Sequence, residues 1–193
     1  MKNFADSFFE SVWAGLKGTR CDAAGKELAL GEAVAVFHDE VARCAAAGGK
    51  VIYIGNGGSA SIAGHMAADL WKNGGVKTLC FAEASLLTCL ANDLGYENVF
   101  ASPTETYADK GDVYVAISSS GQSPNILKAA AAALKKGCTL VTMSGFKADN
   151  PLRKMGGLNF YVNSSVYGVV ETAHSALCHS VVDCVIRERE AGN

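Results

Sequence analysis

Val51-Ile52-Tyr53-Ile54-Gly55-Asn56-Gly57-Gly58-Ser59 reads as a buried strand that breaks into a glycine turn and runs on into a helical pattern. The same order recurs at Val113-Tyr114-Val115-Ala116-Ile117-Ser118-Ser119-Ser120-Gly121-Gln122-Ser123, where a second apolar run gives way to serine and glycine before a helical stretch. A glycine turn lets backbone N–H groups come close to an anion, and the following helix presents the positive end of its dipole there. Serine hydroxyls add donors and acceptors suited to phosphate oxygens. One such turn would be weak support; two at matching positions point to one phosphorylated small molecule gripped between them.

Simpler readings compete at each turn. Gly55 to Ser59 could be a tight connection with Ser59 as the helix N-cap. It lacks G-x-x-x-x-G-K-[ST], and G-x-G-x-x-G fails because position 60 is alanine. In the second turn, Ser123-Pro124 has the form of an N-cap followed by proline at the first helical position. That leaves Ser118, Ser119 and Ser120 without a structural reason for three consecutive hydroxyls after a buried strand.

The rest of the chain supplies the frame for these turns. Apolar runs at 51–54, 77–81, 112–117, 139–144 and 158–162 alternate with helical stretches near 59–72, 84–93, 123–136 and 168–188. Such alternation predicts a doubly wound α/β fold, a parallel five-stranded sheet with helices on both faces. Both serine turns then lie at carboxyl ends of strands, where ligands bind near a topological switch point. Before Lys50, a helix is expected over about 4–16 and a second over about 26–47, separated by a break from Gly18 to Gly25. The expected organisation is one domain over 1–193, with N-terminal helices over 1–48 and an α/β core over 49–193.

At 193 residues, 49% hydrophobic and 19% charged, the composition is that of a folded globular protein. A net charge of -2 and the lack of a basic block give no reason to expect nucleic-acid binding. Arg187-Glu188-Arg189-Glu190 alternates in sign and reads as the solvated end of a helix. Seven scattered cysteines without a C-x-x-C pair read as free thiols in a reducing compartment. The N-terminus has no signal-peptide pattern, and no apolar run is judged to approach the roughly 18 residues that span a bilayer. A cytoplasmic protein with no membrane partner is expected. The aromatic helix bearing Phe4, Phe8, Phe9 and Trp13 would be poorly covered in a monomer, which predicts a tetramer or at least a dimer.

Chemistry-bearing residues cluster on two helical stretches. His65 and Asp69 are four apart and share one face, while Glu171, Ser175 and His179 form a drifting stripe at i, i+4 and i+8. Taken alone, a His–Asp pair is more often a packed imidazole beside a solvated carboxylate. Two helices each presenting one carboxylate and one imidazole could supply a four-ligand N/O site that suits zinc or another divalent ion. His174, one turn from Glu171, could support that site or be a packed or surface residue. His38 has no assigned role.

Val51 to Ala60 and Ala116 to Leu127 resemble the two phosphate-binding segments of sugar isomerase (SIS) domains, a flavodoxin-like fold, and the phosphoheptose isomerase branch in particular. His65, Asn92-Asp93-Leu94-Gly95-Tyr96 and the stretch from Glu171 through His179 have counterparts there. The resemblance implies phosphate and substrate contacts from Asn56, Gly57, Gly58, Ser59, Ser118, Ser119, Ser120 and Ser123, with Asp93 orienting a sugar hydroxyl. It implies metal ligands at His65, Asp69, Glu171 and His179, where the branch has His, Glu, Gln and His. The implied reaction is aldose–ketose interconversion through an enediol, with His179 and Asp69 as acid–base partners and Glu171 as an alternative base. A metal at His65 and Glu171, most simply zinc, would polarise the carbonyl. The resemblance also implies oligomerisation through the N-terminal helices, with sites at subunit interfaces.

Two departures bear on substrate: Asn73 stands where the branch has arginine, and Gly168 where it has aspartate. They motivate an alternative expectation, a non-catalytic sugar-phosphate-binding regulator or a scaffold that associates with a replication initiator. A third is a different reaction on the same fold, such as amino-sugar phosphate deamination or ether cleavage.

Overall fold

The computed structural model describes residues 1–191. It runs α1 (Lys2–Lys17), β1 (Arg20–Ala23), β2 (Lys26–Leu28), α2 (Leu30–Ala46), β3 (Val51–Gly55), α3 (Gly58–Lys72), β4 (Thr78–Cys80) and α4 (Ala84–Leu94). There follow α5 (Ala101–Tyr107), β5 (Val113–Ser118), α6 (Pro124–Lys136), β6 (Thr139–Ser144), β7 (Leu158–Tyr161) and α7 (Tyr167–Ala191).

The five expected strands all form and all pair in parallel, in the order β7-β6-β5-β3-β4. This is the flavodoxin-like order, and its switch point lies between β3 and β5. Every residue of β3 and β5 is buried, as expected for strands covered on both faces. Side chains alternate between two layers. Val51 and Tyr53 face α2, α3 and α7, meeting Phe37, Met66, Leu70 and Val181. Ile52 and Ile54 face the α4–α6 side, meeting Phe100, Ile126 and Ala129. The register pairs Val51 with Val113 and Gly55 with Ile117, so the two strands end side by side and deliver both serine turns to one place.

The sheet has seven strands rather than five. β1 and β2 form an antiparallel hairpin whose first strand pairs with β7, so the N-terminal segment adds two strands to its helices. Ala24 and Gly25 both have positive φ, 50° and 81°, as a two-residue type I′ turn requires. The second helix consequently starts at Leu30 rather than near Lys26. Arg20, Asp22, Lys26 and Glu27 deny this edge hairpin the apolar run of an interior strand.

By length and composition α7 is apolar enough to cross a bilayer, contrary to the expectation that no such run exists. Half of that apolar window is buried within the protein, where Leu177, Cys178, Val181, Val182 and Val185 join the core beside α2 and α3. Helix α1 lies across α7, and leaves Phe4, Phe9 and Trp13 at 71%, 70% and 60% exposure.

Candidate active site

The first turn is built around close backbone approach. A Cβ at Gly55 would lie 2.5 Å from the backbone of Ser59. The N-cap of α3 is Gly57, with φ 53°, a conformation that favours glycine. Ser59 therefore sits inside the first turn and is not the cap. In the second turn Ser123 does occupy the N-cap position with Pro124 after it, yet its hydroxyl makes no capping bond. Ser123 Oγ instead lies 3.4 Å from Ser118 Oγ.

A pocket of about 120 Å³ opens between the turns, lined by Asn56, Ser59, Ile117, Ser118, Ser119, Ser120, Ser123, Tyr167 and Glu171. Helices α3, α6 and α7 all begin at this pocket, so three positive dipole ends converge on it. Ser119 is buried and its Oγ has no hydrogen-bond partner among the described residues. A buried hydroxyl without a partner is costly unless a ligand or water completes it. The volume is below the few hundred cubic ångströms of a whole-ligand cleft; it suits an anionic headgroup.

Asn56 ties the turns together. Its Nδ2 donates to Asn125 Oδ1 at 3.0 Å, and Asn125 Nδ2 donates back to Asn56 Oδ1 at 2.8 Å. Tyr96 Oη also donates to Asn56 Oδ1 at 3.2 Å. Asn125, Tyr96 and Tyr167 were missed as site residues by sequence reasoning. Asn125 and Tyr96 were readable only as parts of the second turn and of the Asn92–Tyr96 segment, and Tyr167 carries no local signal.

Farther along α3, facing α7, the ligand atoms of His65, Asp69 and His179 all lie within 4.8 Å of one another. His65 Nε2 is 3.3 Å from Asp69 Oδ2, and the His65 and His179 rings meet edge to face at 5.4 Å. Two imidazoles and a carboxylate at this spacing fit a divalent ion of the zinc type. Glu171, expected as a fourth ligand, is outside this cluster. Its carboxylate lies against Gly58, where a Cβ would come within 2.4 Å of Glu171 Oε2, and it lines the serine pocket. Eight residues along a helix amount to about 12 Å of rise, so Glu171 and His179 serve different ends of the site. His65 is about 9 Å along α3 from Ser59 at 1.5 Å per residue, a separation that suits the length of a phosphorylated sugar.

Other candidates fall elsewhere. Asp93 is exposed on α4, with Asn92 Nδ2 donating to it at 2.8 Å, and does not line the pocket. Its place in the Asn92–Tyr96 segment gave no information on where α4 would pack. Asn73 caps the far end of α3 and accepts a bond from Arg189 Nη1 through its carbonyl, so it cannot reach the pocket of its own chain. A Cβ at Gly168 would meet the Phe8 ring at 3.2 Å. His174 is fully buried in the core, and Nε2–H donates to Ser144 O at 3.2 Å. Burial pushes its pKa down to about 4, opposed by that hydrogen bond. It is a packed residue, the structural reading of the two. His38 pairs with Asp39 and Glu188 at the α2–α7 surface.

A flavodoxin-like sheet whose switch point carries two serine turns, beside a His/Asp/His cluster, defines an α/β protein built to hold a phosphorylated small molecule. The sequence profile of the SIS domain matches residues 27–145, and the chain belongs to that family. It is 31% identical over 195 aligned residues to a phosphoheptose isomerase of Shewanella sp. strain ANA-3, covering 97% of this chain and 95% of that protein. The solved phosphoheptose isomerase of Neisseria gonorrhoeae superposes with a TM-score of 0.82 at 27% identity, over 95% of this chain and 98% of that one. A phosphoheptose isomerase from Francisella tularensis shares the fold with a TM-score of 0.84 at 23% identity, over 97% and 98% of the two chains.

Proposed function

We propose that the protein is a phosphosugar isomerase that interconverts a ketose phosphate and an aldose phosphate, of the sedoheptulose 7-phosphate and heptose 7-phosphate kind. The observation that carries this reading is the unpartnered Ser119 hydroxyl in a pocket where three helices begin, with His65 about 9 Å along α3 from the pocket's Ser59. Kinship with phosphoheptose isomerases supports the reaction.

In this reading the phosphate rests on Ser59, Ser118, Ser119, Ser120 and Ser123 and on the free N–H groups opening α3 at Gly57 and Gly58. Asn56 holds the two turns in register. The carbon chain then runs along α3 toward the cluster. Asp69 removes the proton from the carbon beside the carbonyl, and His179 returns a proton to the neighbouring carbon once the enediol has formed. Glu171 faces the pocket as the alternative base. A divalent ion, zinc by the character of the donors, would be held by His65 and by one ligand atom each of Asp69 and His179, leaving their other carboxylate oxygen and ring nitrogen for proton transfer, and would polarise the carbonyl oxygen. The half-open cluster, with His65 60% exposed, and the uncovered face of α1 support a homotetramer whose neighbouring subunits complete each site.

The test is turnover across a panel of C5 to C7 sugar phosphates, with zinc supplied and after chelation. Isomerisation that collapses on chelation and returns with metal is expected. No turnover of any member with metal present, together with sugar-phosphate binding that Asp69→Ala and His179→Ala leave unchanged, would establish a binding regulator instead.

A further inference from the structure

We infer that Tyr167 is a specificity-determining residue: held by Phe146, its ring is the wall against which the phosphate-bearing end of the substrate's carbon chain rests. This builds on the phosphate assignment proposed above and adds how the site distinguishes a sugar phosphate from phosphate itself.

The pocket is lined almost wholly by hydroxyl, amide and carboxylate groups, with Ile117 and Tyr167 as the exceptions. Ile117 is fully buried, whereas Tyr167 is 60% exposed at the mouth. Tyr167 and Glu171 are four positions apart, so both project from the same face of α7 into the pocket. The carbon that bears a phosphate seated on the serines lies at this mouth, beside the ring, before the rest of the chain turns along α3 toward His65. An aromatic face is suited to C–H groups of a sugar, which it shields from water while leaving the hydroxyls solvated.

The ring is held in place. Phe146 and Tyr167 pack edge to face, with centroids 4.9 Å apart and planes at 74°. Phe146 has φ 59°, a left-handed conformation that is strained for a bulky aromatic residue. Its backbone is tied on both sides: the N–H donates to Ser164 O at 2.8 Å, and the carbonyl accepts from Tyr161 Oη at 3.0 Å. The preceding Gly145 N–H donates to Ser119 O at 2.9 Å. Phe146 is thus joined through one hydrogen bond to the residue carrying the unpartnered pocket hydroxyl. A strained aromatic residue, next to the Gly145 that bonds the phosphate turn and packed edge to face on the pocket-mouth tyrosine, sets the distance between wall and serines. Phe146 is the positioning residue and Tyr167 the contact.

Calorimetric titration with inorganic phosphate and with sedoheptulose 7-phosphate separates the two roles. Tyr167→Ala should weaken the sugar phosphate about tenfold, the scale of one lost aromatic contact, and inorganic phosphate by less than about twofold. Tyr167→Phe should bind both ligands as the parent does. Phe146→Ala should reproduce the selective loss, and Phe146→Tyr should restore it. Equal weakening of both ligands by Tyr167→Ala, no change in either, or a loss in Tyr167→Phe as large as in Tyr167→Ala would overturn the inference while leaving the phosphate pocket standing. Failure of the parent protein to bind either ligand would overturn the phosphate assignment and this inference with it.

Discussion

Ser119 and His174 are both buried polar side chains with an unpartnered atom, and their surroundings give them opposite meanings. Ser119 lines a pocket, so its orphan hydroxyl is available to a ligand. Ser119→Ala removes no internal hydrogen bond and should change unfolding free energy by less than about 1 kcal/mol, while raising KM for the sugar phosphate about tenfold, the scale of a bond to a charged group. Chemical denaturation and steady-state kinetics on one preparation check both halves. His174 is fully buried in the core and does not line the serine pocket. With its folded pKa depressed to about 4 from an ordinary 6.5, the unfolded chain binds the extra proton between those values. The contribution of His174 to stability is therefore complete above about pH 6.5 and is lost as pH falls to 4, by roughly 3 kcal/mol at about 1.36 kcal/mol per pH unit. His174→Leu should flatten that decline in urea midpoints measured across the range.

Among the elements, the interior strands and the edge hairpin behave differently because their surroundings differ. β3 and β5 are covered on both faces, so their apolar runs were readable without knowing their neighbours. β1 and β2 lie at the margin of the sheet, where charged side chains are tolerated and the stabilising partner is β7, more than a hundred residues away in sequence. Their one local signal was Ala24-Gly25, and alanine is a poor residue for the first position of that turn. Ala24 holds φ 50° at a steric cost, so Ala24→Asn, which creates an Asn-Gly type I′ turn, should stabilise the protein by about 0.5–1 kcal/mol. A rise in thermal midpoint would register it, and no rise would show that the hairpin does not depend on its turn. Along α7 the expected stripe of Glu171 and His179 divides between two ends of the site. Spacing gives a shared face, but the rise along the helix separates the side chains.

For the molecule as a whole, α1 leaves three aromatic side chains uncovered within one chain. Phe8, Val12 and Leu16 are partly covered while Phe4, Phe9 and Trp13 face outward. A second subunit over that face would bury three aromatic side chains, each worth about 1.5–3 kcal/mol when fully covered. Light scattering on the purified protein should give a mass that is a multiple of 20.1 kDa, and Phe9→Glu with Trp13→Glu should reduce it. A monomer for the parent protein would refute the proposed interface.

The strand–helix alternation, both serine turns and the pairing of His65 with Asp69 are local features. They follow from burial on both faces of a strand, from glycine at a close approach, and from four-residue helical spacing, so they could be read without coordinates. Other features depend on segments distant in the chain meeting in space. The parallel register of β3 and β5 brings the two turns together, and the approach of α7 to α3 places His179 in the cluster and Glu171 beside Gly58. Tyr96, Asn125 and Tyr167 join the site only because α4, α6 and α7 pack around the switch point. The two phosphate turns were thus written in short-range residue order, whereas the shape of the pocket around them came from packing between helices that no local pattern specifies.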